Sequence, residues 1–452
     1  MPPSYPMSAM GVPDYGGGSH RVPAHRRSIA TMRGPAGRPD VTYRLTAALS
    51  TVTVAGRRQR AYTFDRRTPG PTLVVHRGDV VQVVLRNRNI AQGTTIHWHG
   101  LDVPAGVDGV PGVTQDAVLP GQHFVYRFRA TQTGTYWYHS HQLGVQQVQR
   151  GLVGALVILP KGQPVPPAAQ RDVVAVVHSY GGRSAINGRA GSTSVAGDVG
   201  GRRLRFVNTD QSAVLVASTV PYQVVAIDGK TVHGPTTLSP DHYVEVPAAG
   251  RVDIVLDAAS TRARVGVLGG ASLVLGGTPA ARLSATTPFQ PWRYGTPDPS
   301  LRVPAADRTF DYVIGQRRGF LDGRLGNWFT IDHQLIPNVP RFMVARGDVV
   351  RFRIVNHTLL DHPMHLHGQP MLVLRRNGRP TTGSPWRVDT LQVHPGESYL
   401  VSVVADNPGD WMFHCHILAH AGQGLMTTMS YLSVRTPYLV GRISARLVNV
   451  PE

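Results

Sequence analysis

The chain has 452 residues, enough for about three domains of ordinary size. Its formal charge of +19 at neutral pH would suit nucleic acid, but the arginines are scattered and the two lysines, Lys161 and Lys230, stand far apart. We therefore expect no nucleic-acid partner, and the charge favours an anionic cell-envelope surface instead. The single cysteine, Cys415, excludes an internal disulfide.

Residues 1–38 are rich in proline, glycine and serine, and they contain no apolar run of the kind a signal peptide needs. Arg26-Arg27-Ser28 would fit a twin-arginine export signal only if such a run followed it. We predict a disordered or surface-draped N-terminal extension, left after trimming of a longer precursor or a membrane-anchored parent.

The rest of the chain favours short strands. Glycine and proline are frequent (49 and 36 residues), and turn dipeptides separate short Val/Thr/Tyr-rich segments. The longest apolar stretch, residues 151–160, is far shorter than the roughly 20 residues that span a bilayer. The sequence therefore predicts an all-β protein with no membrane-spanning helix.

An internal repeat defines the organisation of the strands. Residues 77–100 open with Arg-Gly-Asp-Val-Val and close with His-Trp-His-Gly, and residues 346–368 repeat this pattern with His-Leu-His-Gly. Residues 134–141 are repeated in the same way by residues 409–416. The middle third carries weaker copies without any His-x-His pair, at residues 201–208 and 247–253. We predict three β-units, of which the middle one is structural.

Histidines concentrate in the outer two units. The clusters are His97 and His99; His139 and His141; His362, His365 and His367; and His414, His416 and His420 around Cys415. A lone His-x-His pair is more often a solvated strand face than a metal site. Four clusters with repeated flanking residues indicate metal ligands, and one thiolate among imidazoles suits copper better than zinc or an iron–sulfur cluster.

From about residue 40 to 435, these four motifs and their order resemble the multicopper oxidases, the family of laccases and bacterial cuprous oxidases. The chain is most similar to a three-domain, laccase-like bacterial member. The resemblance implies three cupredoxin-like Greek-key β-sandwich domains, at residues 39–162, 163–300 and 301–436. The extension 1–38 would precede them, and a tail, 437–452, would follow.

The resemblance also implies four copper ions per chain. Type 1 copper would be bound by His362, Cys415 and His420, and type 2 copper by His97 and His365. The type 3 pair would be bound by His99, His139, His141, His367, His414 and His416. These last two sets would form one cluster between the first and third domains, and Cys415, between two cluster ligands in sequence, would give electrons a short covalent route to it.

Two positions depart from the family pattern. The axial position of the type 1 copper is Leu425, a non-ligand, so we expect a raised reduction potential; the alternative is that Met426 shifts inward and binds. Many bacterial relatives carry a glutamate just after the second histidine of the type 1 site, and here that position is Ala421. One proton route is therefore in doubt.

Asp108 occupies the place where the family keeps an aspartate near the cluster. As a catalytic residue it would supply protons there, beside the electron route through Cys415. Asp108-Gly109 is also a favourable turn dipeptide, so a purely structural role is the alternative.

The resemblance implies one-electron oxidation of phenolic or aromatic reductants, coupled to four-electron reduction of dioxygen to water. The alternative is a cuprous or other metal-ion oxidase acting in copper tolerance. Ten methionines without a methionine-rich insert favour the laccase-like activity. Members of this family are usually extracytoplasmic and monomeric, so the resemblance implies the same for this enzyme.

Overall fold

The computed structural model describes residues 11–164, 172–277, 281–321, 323–442, 444 and 447–451. Its regular structure is almost entirely β-strand, as predicted. The two α-helices are single turns, α1 (Gly144–Gln147) and α2 (Leu418–Gly422). Within the described residues, neither helix approaches the length and hydrophobicity needed to cross a membrane.

The first ten strands include a two-sheet sandwich, here called the first sandwich (β3–β10). They are β1 (Val12–Asp14), β2 (Arg27–Ser28), β3 (Val41–Val54), β4 (Arg57–Phe64), β5 (Leu73–His76), β6 (Val80–Asn87), β7 (His97–His99), β8 (His123–Arg129), β9 (Gly134–His139) and β10 (Val153–Leu159). The sheets run β4-β3-β6-β8 and β5-β10-β9-β7. Alternate residues of β6, Val81, Val83 and Leu85, are buried between them, as strand periodicity requires.

The middle sandwich comprises β11–β23. Its strands are β11 (Asp172–Tyr180), β12 (Arg183–Ile186), β13 (Arg189–Ala190), β14 (Ser192–Val195), β15 (Arg203–Asn208), β16 (Val214–Ser218), β17 (Tyr222–Ile227), β18 (Lys230–Thr231), β19 (His242–Val246), β20 (Arg251–Leu256), β21 (Ala263–Val267), β22 (Ser272–Leu275) and β23 (Thr287–Pro288). The sheets run β13-β12-β11-β15-β20-β17-β18 and β14-β22-β21-β16-β19-β23 around a separate apolar core.

The third sandwich (β24–β36) and two tail strands complete the order. The strands are β24 (Arg308–Leu321), β25 (Arg324–Ile331), β26 (Pro340–Val344), β27 (Val349–Asn356), β28 (His362–Leu366), β29 (Met371–Arg376), β30 (Arg379–Pro380), β31 (Arg387–Val388), β32 (Thr390–Val393), β33 (Ser398–Val404), β34 (Asp410–Cys415), β35 (Met426–Tyr431), β36 (Val434–Arg435), β37 (Gly441–Arg442) and β38 (Val448–Asn449). The main sheets run β25-β24-β27-β33-β29-β30 and β1-β26-β35-β34-β28-β32.

Both ends of the described chain pack on distant parts of the fold. In the N-terminal extension, β1 pairs in parallel with β26 and β2 pairs with β36, so both strands lie along the third sandwich. Met32 and Gly37 instead accept hydrogen bonds from Gly106 and Arg127 of the first sandwich. The first ten residues lie outside the described range. The tail instead returns to the first sandwich, where Asn449 accepts a hydrogen bond from the Ala117 N–H at 3.0 Å.

Strand pairing explains why the histidine clusters converge. In the first sandwich, β7 and β9 are antiparallel neighbours, and His97 lies opposite His139. In the third sandwich, β28 and β34 repeat this arrangement, with His365 opposite His414. The sequence repeat is therefore a structural repeat, and each copy presents two His-x-His segments side by side.

Candidate metal centre

Eight histidines meet in one buried pocket between the first and third sandwiches. They are His97, His99, His139, His141, His365, His367, His414 and His416, each 1% exposed or less. Burial is the main cause that lowers the pKa of seven of these imidazoles below the usual value for histidine. The seven are His99, His139, His141, His365, His367, His414 and His416. These seven imidazoles are therefore neutral at physiological pH, which is the form that binds metal.

In three of these histidines, the hydrogen bonds determine which ring nitrogen carries the proton and which presents a lone pair. The Nδ1–H of His97, His139 and His365 donates to a backbone carbonyl at 2.9, 2.8 and 2.8 Å. Their Nε2 atoms have no hydrogen-bond partner among the described residues. Since a neutral imidazole carries one proton, each Nε2 presents a lone pair to the pocket.

His99 is oriented the other way round. Its Nε2 lies 3.1 Å from Asp389 Oδ1 and 3.0 Å from Thr390 Oγ1. Its Nδ1 is the nitrogen without a hydrogen bond in the part of the chain that the structure describes. This ring therefore offers Nδ1 to a metal ion.

His367 and His414 give the most direct indication that the pocket suits a cation. The Nδ1–H of His367 donates to Asp108 Oδ2 at 2.9 Å, and that of His414 donates to the Cys415 carbonyl at 3.1 Å. Both Nε2 atoms must then be unprotonated, yet they lie 3.1 Å apart. Two lone pairs facing each other are repulsive unless a cation lies between them.

Several subsets of the pocket have metal-binding proximity. The donor atoms of His141, His367 and His414 lie within 4.8 Å of one another, and those of His97, His99 and His139 do as well. The structure thus brings together all eight predicted cluster histidines. Their number and arrangement suit more than one metal ion, since one ion of this class takes about four to six ligands.

A second donor set lies beside the pocket. Cys415 Sγ is 3.7 Å from Nδ1 of both His362 and His420, and the two Nδ1 atoms are 3.3 Å apart. Metal–ligand distances of about 2.0–2.3 Å put the donors of a trigonal site about 3.5–4.0 Å apart. The triangle fits such a site. Burial lowers the pKa of His362 to about 3, so this ring too is neutral.

Leu425 directly precedes β35, which begins at Met426, and the two side chains pack in different places. Leu425 is fully buried in the same apolar core as Cys415, and its carbonyl accepts a hydrogen bond from the Cys415 N–H at 3.1 Å. Met426 packs against another cluster, which contains Val110 and Met412. Ala421, in α2, is fully buried.

Asp108 touches histidines of both sandwiches. Its Oδ1 is 3.1 Å from His97 Nδ1, and its Oδ2 accepts from His367 as described above. The following Gly109 has φ of +88°, and a Cβ there would lie 1.8 Å from the Ile96 carbonyl oxygen. The turn and the contact with the histidines therefore coexist, since the turn is what aims the carboxylate.

Three residues near the pocket escaped the sequence analysis. Asp389, Arg251 and Asp228 are all buried, and Arg251 and Asp228 come from the middle sandwich. Asp228 and Asp389 lie outside the repeated segments, Arg251 lies in the weaker copy at residues 247–253, and Asp389 has no counterpart at the spacing of Asp108. No local signal in the sequence points to them.

Comparison with known proteins accounts for the two donor sets. Family models described as multicopper oxidase match residues 46–163 and 316–433, together more than half of the chain. Laccase-1 of Cryptococcus neoformans is 26% identical over 83% of this chain and 77% of its own length. Copper resistance protein A of Escherichia coli is 36% identical over 34% of this chain and 25% of its own length.

The fold agrees with these matches. A multi-copper oxidase from Pseudomonas thermotolerans superposes with a TM-score of 0.68 and 25% identity, over 87% of this chain and 100% of the other. A laccase from Botrytis aclada, 22% identical, superposes with a TM-score of 0.70 over 90% of this chain and 92% of the other. The expected cupredoxin-like sandwich fold is confirmed. The chain belongs to the multicopper oxidase family.

Proposed function

We propose that this protein is a laccase-like oxidase that removes single electrons from phenolic or aromatic reductants and reduces dioxygen to water. The observation that carries the proposal is the direct connection of two donor sets. Cys415 belongs to the trigonal set, and its chain neighbours His414 and His416 belong to the eight-histidine pocket. An electron accepted at one set thus has a covalent path to the other.

The proposed ligands and domains are those implied by the family motifs. His362, Cys415 and His420 would hold type 1 copper, with Leu425 at the non-ligating axial position. His97 and His365 would hold type 2 copper, and His99, His139, His141, His367, His414 and His416 the type 3 pair. The four bound coppers would supply the one-electron steps and the reduction of dioxygen. The domain boundaries near residues 162 and 300 remain part of the same proposal.

Asp108 is the proposed proton carrier of the pocket. It is fully buried, and its two carboxylate oxygens face the Nδ1 atoms of His97 and His367, one ring from each sandwich. Oδ1 accepts no hydrogen bond in the described part of the chain, so it is the oxygen that would take up a proton, while Oδ2 keeps its hydrogen bond to the His367 ring. With Ala421 in place of a second acid, Asp108 would carry most of the proton supply.

The surroundings of the trigonal set favour an organic reductant. The Phe329 ring lies 4.6 Å from the His420 ring and 5.1 Å from the His362 ring. The loop before His362 exposes Leu359 and Leu360, at 91% and 44%. The exposed leucines suit a phenol or arylamine, and the carboxylate of the adjacent Asp361 is engaged by His394 Nδ1 at 2.9 Å.

An extracytoplasmic location and a monomeric state complete the proposal. Both are drawn from the habits of the family. The similarity to a copper resistance protein keeps metal-ion oxidation in copper tolerance as the competing assignment.

The test loads the purified apoprotein with copper and records its visible spectrum and its dioxygen consumption. We expect an intense blue band with a near-ultraviolet shoulder, and faster dioxygen consumption with a substituted phenol than with Cu(I). The matched control is Cys415→Ser, which should lose the blue band and phenol oxidation but keep the shoulder, because the cluster uses other residues.

Three results would contradict the proposal. A loaded wild-type protein without the blue band would remove the trigonal copper site. Retained blue absorption in Cys415→Ser would remove the thiolate from it. Faster turnover with Cu(I) than with every phenol tried would assign the protein to metal-ion oxidation.

A further inference from the structure

Asp389 connects histidines of the two outer sandwiches. Its carbonyl accepts a hydrogen bond from the His365 Nδ1–H at 2.8 Å, and its Oδ1 accepts one from the His99 Nε2–H at 3.1 Å. Both rings are buried and offer their other nitrogen to the pocket. The position of this one aspartate therefore fixes the direction of two proposed copper ligands.

Arg251, from the middle sandwich, holds this aspartate. Its Nη1 donates to Asp389 Oδ1 at 2.6 Å and its Nη2 to Oδ2 at 2.5 Å, a bidentate pair between side chains that are 0% and 4% exposed. Such a fork fixes both the place and the plane of a carboxylate. The second acceptor site on Oδ1 remains aimed at His99.

Asp228 completes the clamp from the same sandwich. Its Oδ1 lies 3.3 Å from Arg251 Nη1, and its Oδ2 accepts the backbone N–H groups of Asp389 and Thr390 at 3.2 and 3.1 Å. Asp389, which lies between β31 and β32, is thus tied to the middle sandwich through its main chain as well as through its side chain. Together, Arg251, Asp228 and Asp389 are called the clamp below.

We propose that Arg251 is a positioning residue for the copper cluster, acting from a sandwich that contributes no copper ligand. This inference rests on the proposed function, since it concerns the geometry of the ligands named there. Through Asp389, Arg251 keeps His99 with Nδ1 directed at the cluster and keeps His365 with Nε2 directed at it.

The clamp also prevents a competing geometry. A donor atom of Asp389 lies within 4.8 Å of donor atoms of His99 and His365, a spacing at which the carboxylate itself could bind a metal ion. With both oxygens engaged by Arg251, the carboxylate remains an outer partner of His99. Loss of the fork would free it to compete with the histidines, and outer partners of metal-bound histidines typically change metal affinity about 10–100-fold.

The test is Arg251→Lys, which keeps the charge but cannot form the fork. The matched control is Arg205→Lys. Arg205 is a buried arginine of the same sandwich that forms a bidentate ion pair with Asp172, with both distances at 2.7 Å. It also pairs with Asp253 and donates a hydrogen bond to Thr135 of the first sandwich. Arg205 makes no described contact with a proposed copper ligand. The two variants therefore differ in one respect: the partner of Arg251, Asp389, contacts His99 and His365, whereas the carboxylate partners of Arg205 are Asp172 and Asp253.

The readouts are copper bound per chain by titration, the ratio of the near-ultraviolet shoulder to the blue band, and thermal unfolding of the apoprotein. We expect Arg251→Lys to weaken cluster copper about 10-fold or more with an unchanged blue band. Arg205→Lys should lower the unfolding temperature but leave both the ratio and the copper content as in wild type.

Wild-type copper affinity in Arg251→Lys, or an equal loss in Arg205→Lys, would overturn the proposal. If Arg251→Lys does not fold, Asp228→Asn decides, because this isosteric change removes one anion of the clamp and should lower the ratio in the same direction by a smaller factor. An unchanged ratio in that variant refutes the clamp. A wild-type protein that binds no copper would instead refute the proposed function, so the two failures are distinct.

Discussion

The pocket is built around two aspartates in nearly equivalent places. The backbone carbonyl of each aspartate accepts the Nδ1–H of the first histidine of a His-x-His pair in its own sandwich. The carboxylate of each contacts the second histidine of the corresponding pair in the other sandwich. The histidines are His97 and His367 for Asp108, and His365 and His99 for Asp389. The two sites are related as the two copies of the repeat are.

What holds each aspartate is different. Asp108 is aimed by a tight backbone turn at Gly109, whereas Asp389 is gripped by Arg251 and Asp228. No arginine or lysine pairs with Asp108 in the described chain, whereas Arg251 forms a bidentate ion pair with Asp389. The proposed tasks differ accordingly, with proton supply assigned to Asp108 and ligand positioning to Asp389.

The largest effect should come from removing the cation of the clamp. Arg251→Met leaves Asp228 and Asp389 buried without their arginine, which should cost about 3–5 kcal/mol of apoprotein stability. Urea unfolding at neutral pH measures this. A loss below about 1 kcal/mol would show that the clamp is not what holds this side of the pocket.

The same variant has a pH signature. Burial and the neighbouring Asp389 raise the pKa of Asp228 to about 7, while Arg251 lowers it. Without Arg251 that pKa rises further. A carboxyl group whose pKa is raised by folding favours the folded state when protonated, and this contribution is lost as pH rises through the folded pKa. The deficit of Arg251→Met should therefore be larger at pH 8 than at pH 5, and an equal deficit at both would contradict this assignment.

The turn on the other side predicts the next largest effect. In Gly109→Ala, the new Cβ would meet the Ile96 carbonyl oxygen at 1.8 Å in a left-handed conformation, so we expect a loss of about 2–4 kcal/mol. The control is Gly347→Ala, also at positive φ (+95°) but with no atom within 4 Å of its Cβ, which should cost only about 1 kcal/mol. Equal thermal shifts in the two variants would mean that the close approach at Gly109 is relieved easily.

Asp108→Asn tests the division of tasks directly. The amide keeps an acceptor for the His367 ring but cannot take up a proton, so dioxygen turnover should fall about 100-fold, or about 2.7 kcal/mol in the barrier. Copper content should stay at the wild-type level. Asp389→Asn should show the reverse pattern, with weaker copper binding and less loss of turnover per loaded cluster. If both variants lose turnover alone, the two aspartates share one task.

The smallest effect concerns the outer edge of the same interface between the middle and third sandwiches. His394 Nε2 contacts Glu245 at 3.2 Å and its Nδ1 contacts Asp361 at 2.9 Å, and the hydrogen bond to Glu245 is the main cause that raises the pKa of His394 to about 9. A histidine whose pKa is raised by folding stabilises the folded state. This stabilisation is fully present below the unfolded pKa of about 6.5 and is lost as the pH rises through the folded pKa of about 9.

These groups are partly exposed, so solvent screening leaves about 1 kcal/mol between pH 7 and pH 10. Denaturant unfolding at the two pH values measures the difference. His394→Gln should remove this part of the pH dependence. If the variant and the wild type lose stability equally over that range, His394 is not its source.

The sequence predicts the parts of the site that are written locally. The His-x-His pairs follow from strand periodicity and repeat, and the Asp108-Gly109 turn follows from two adjacent residue types. Arg251 and Asp389 are 138 residues apart, and Asp228 and Asp389 are 161 apart. Their pairing depends on how the middle and third sandwiches meet, which no spacing or periodicity records. The sequence of the middle third predicts no copper ligand, and it gives no sign that Arg251 and Asp228 contact Asp389 beside the pocket.

The return of residues 447–451 to the first sandwich has a consequence for biosynthesis. The Val450 N–H donates to Gln142 Oε1 at 2.9 Å across a separation of 308 residues, and the Val450 carbonyl accepts the Leu143 N–H at 2.9 Å. Gln142 directly follows His141. The segment that follows this histidine is thus held by residues about 300 positions later in the chain, so it gains these contacts only once that later segment has been synthesised.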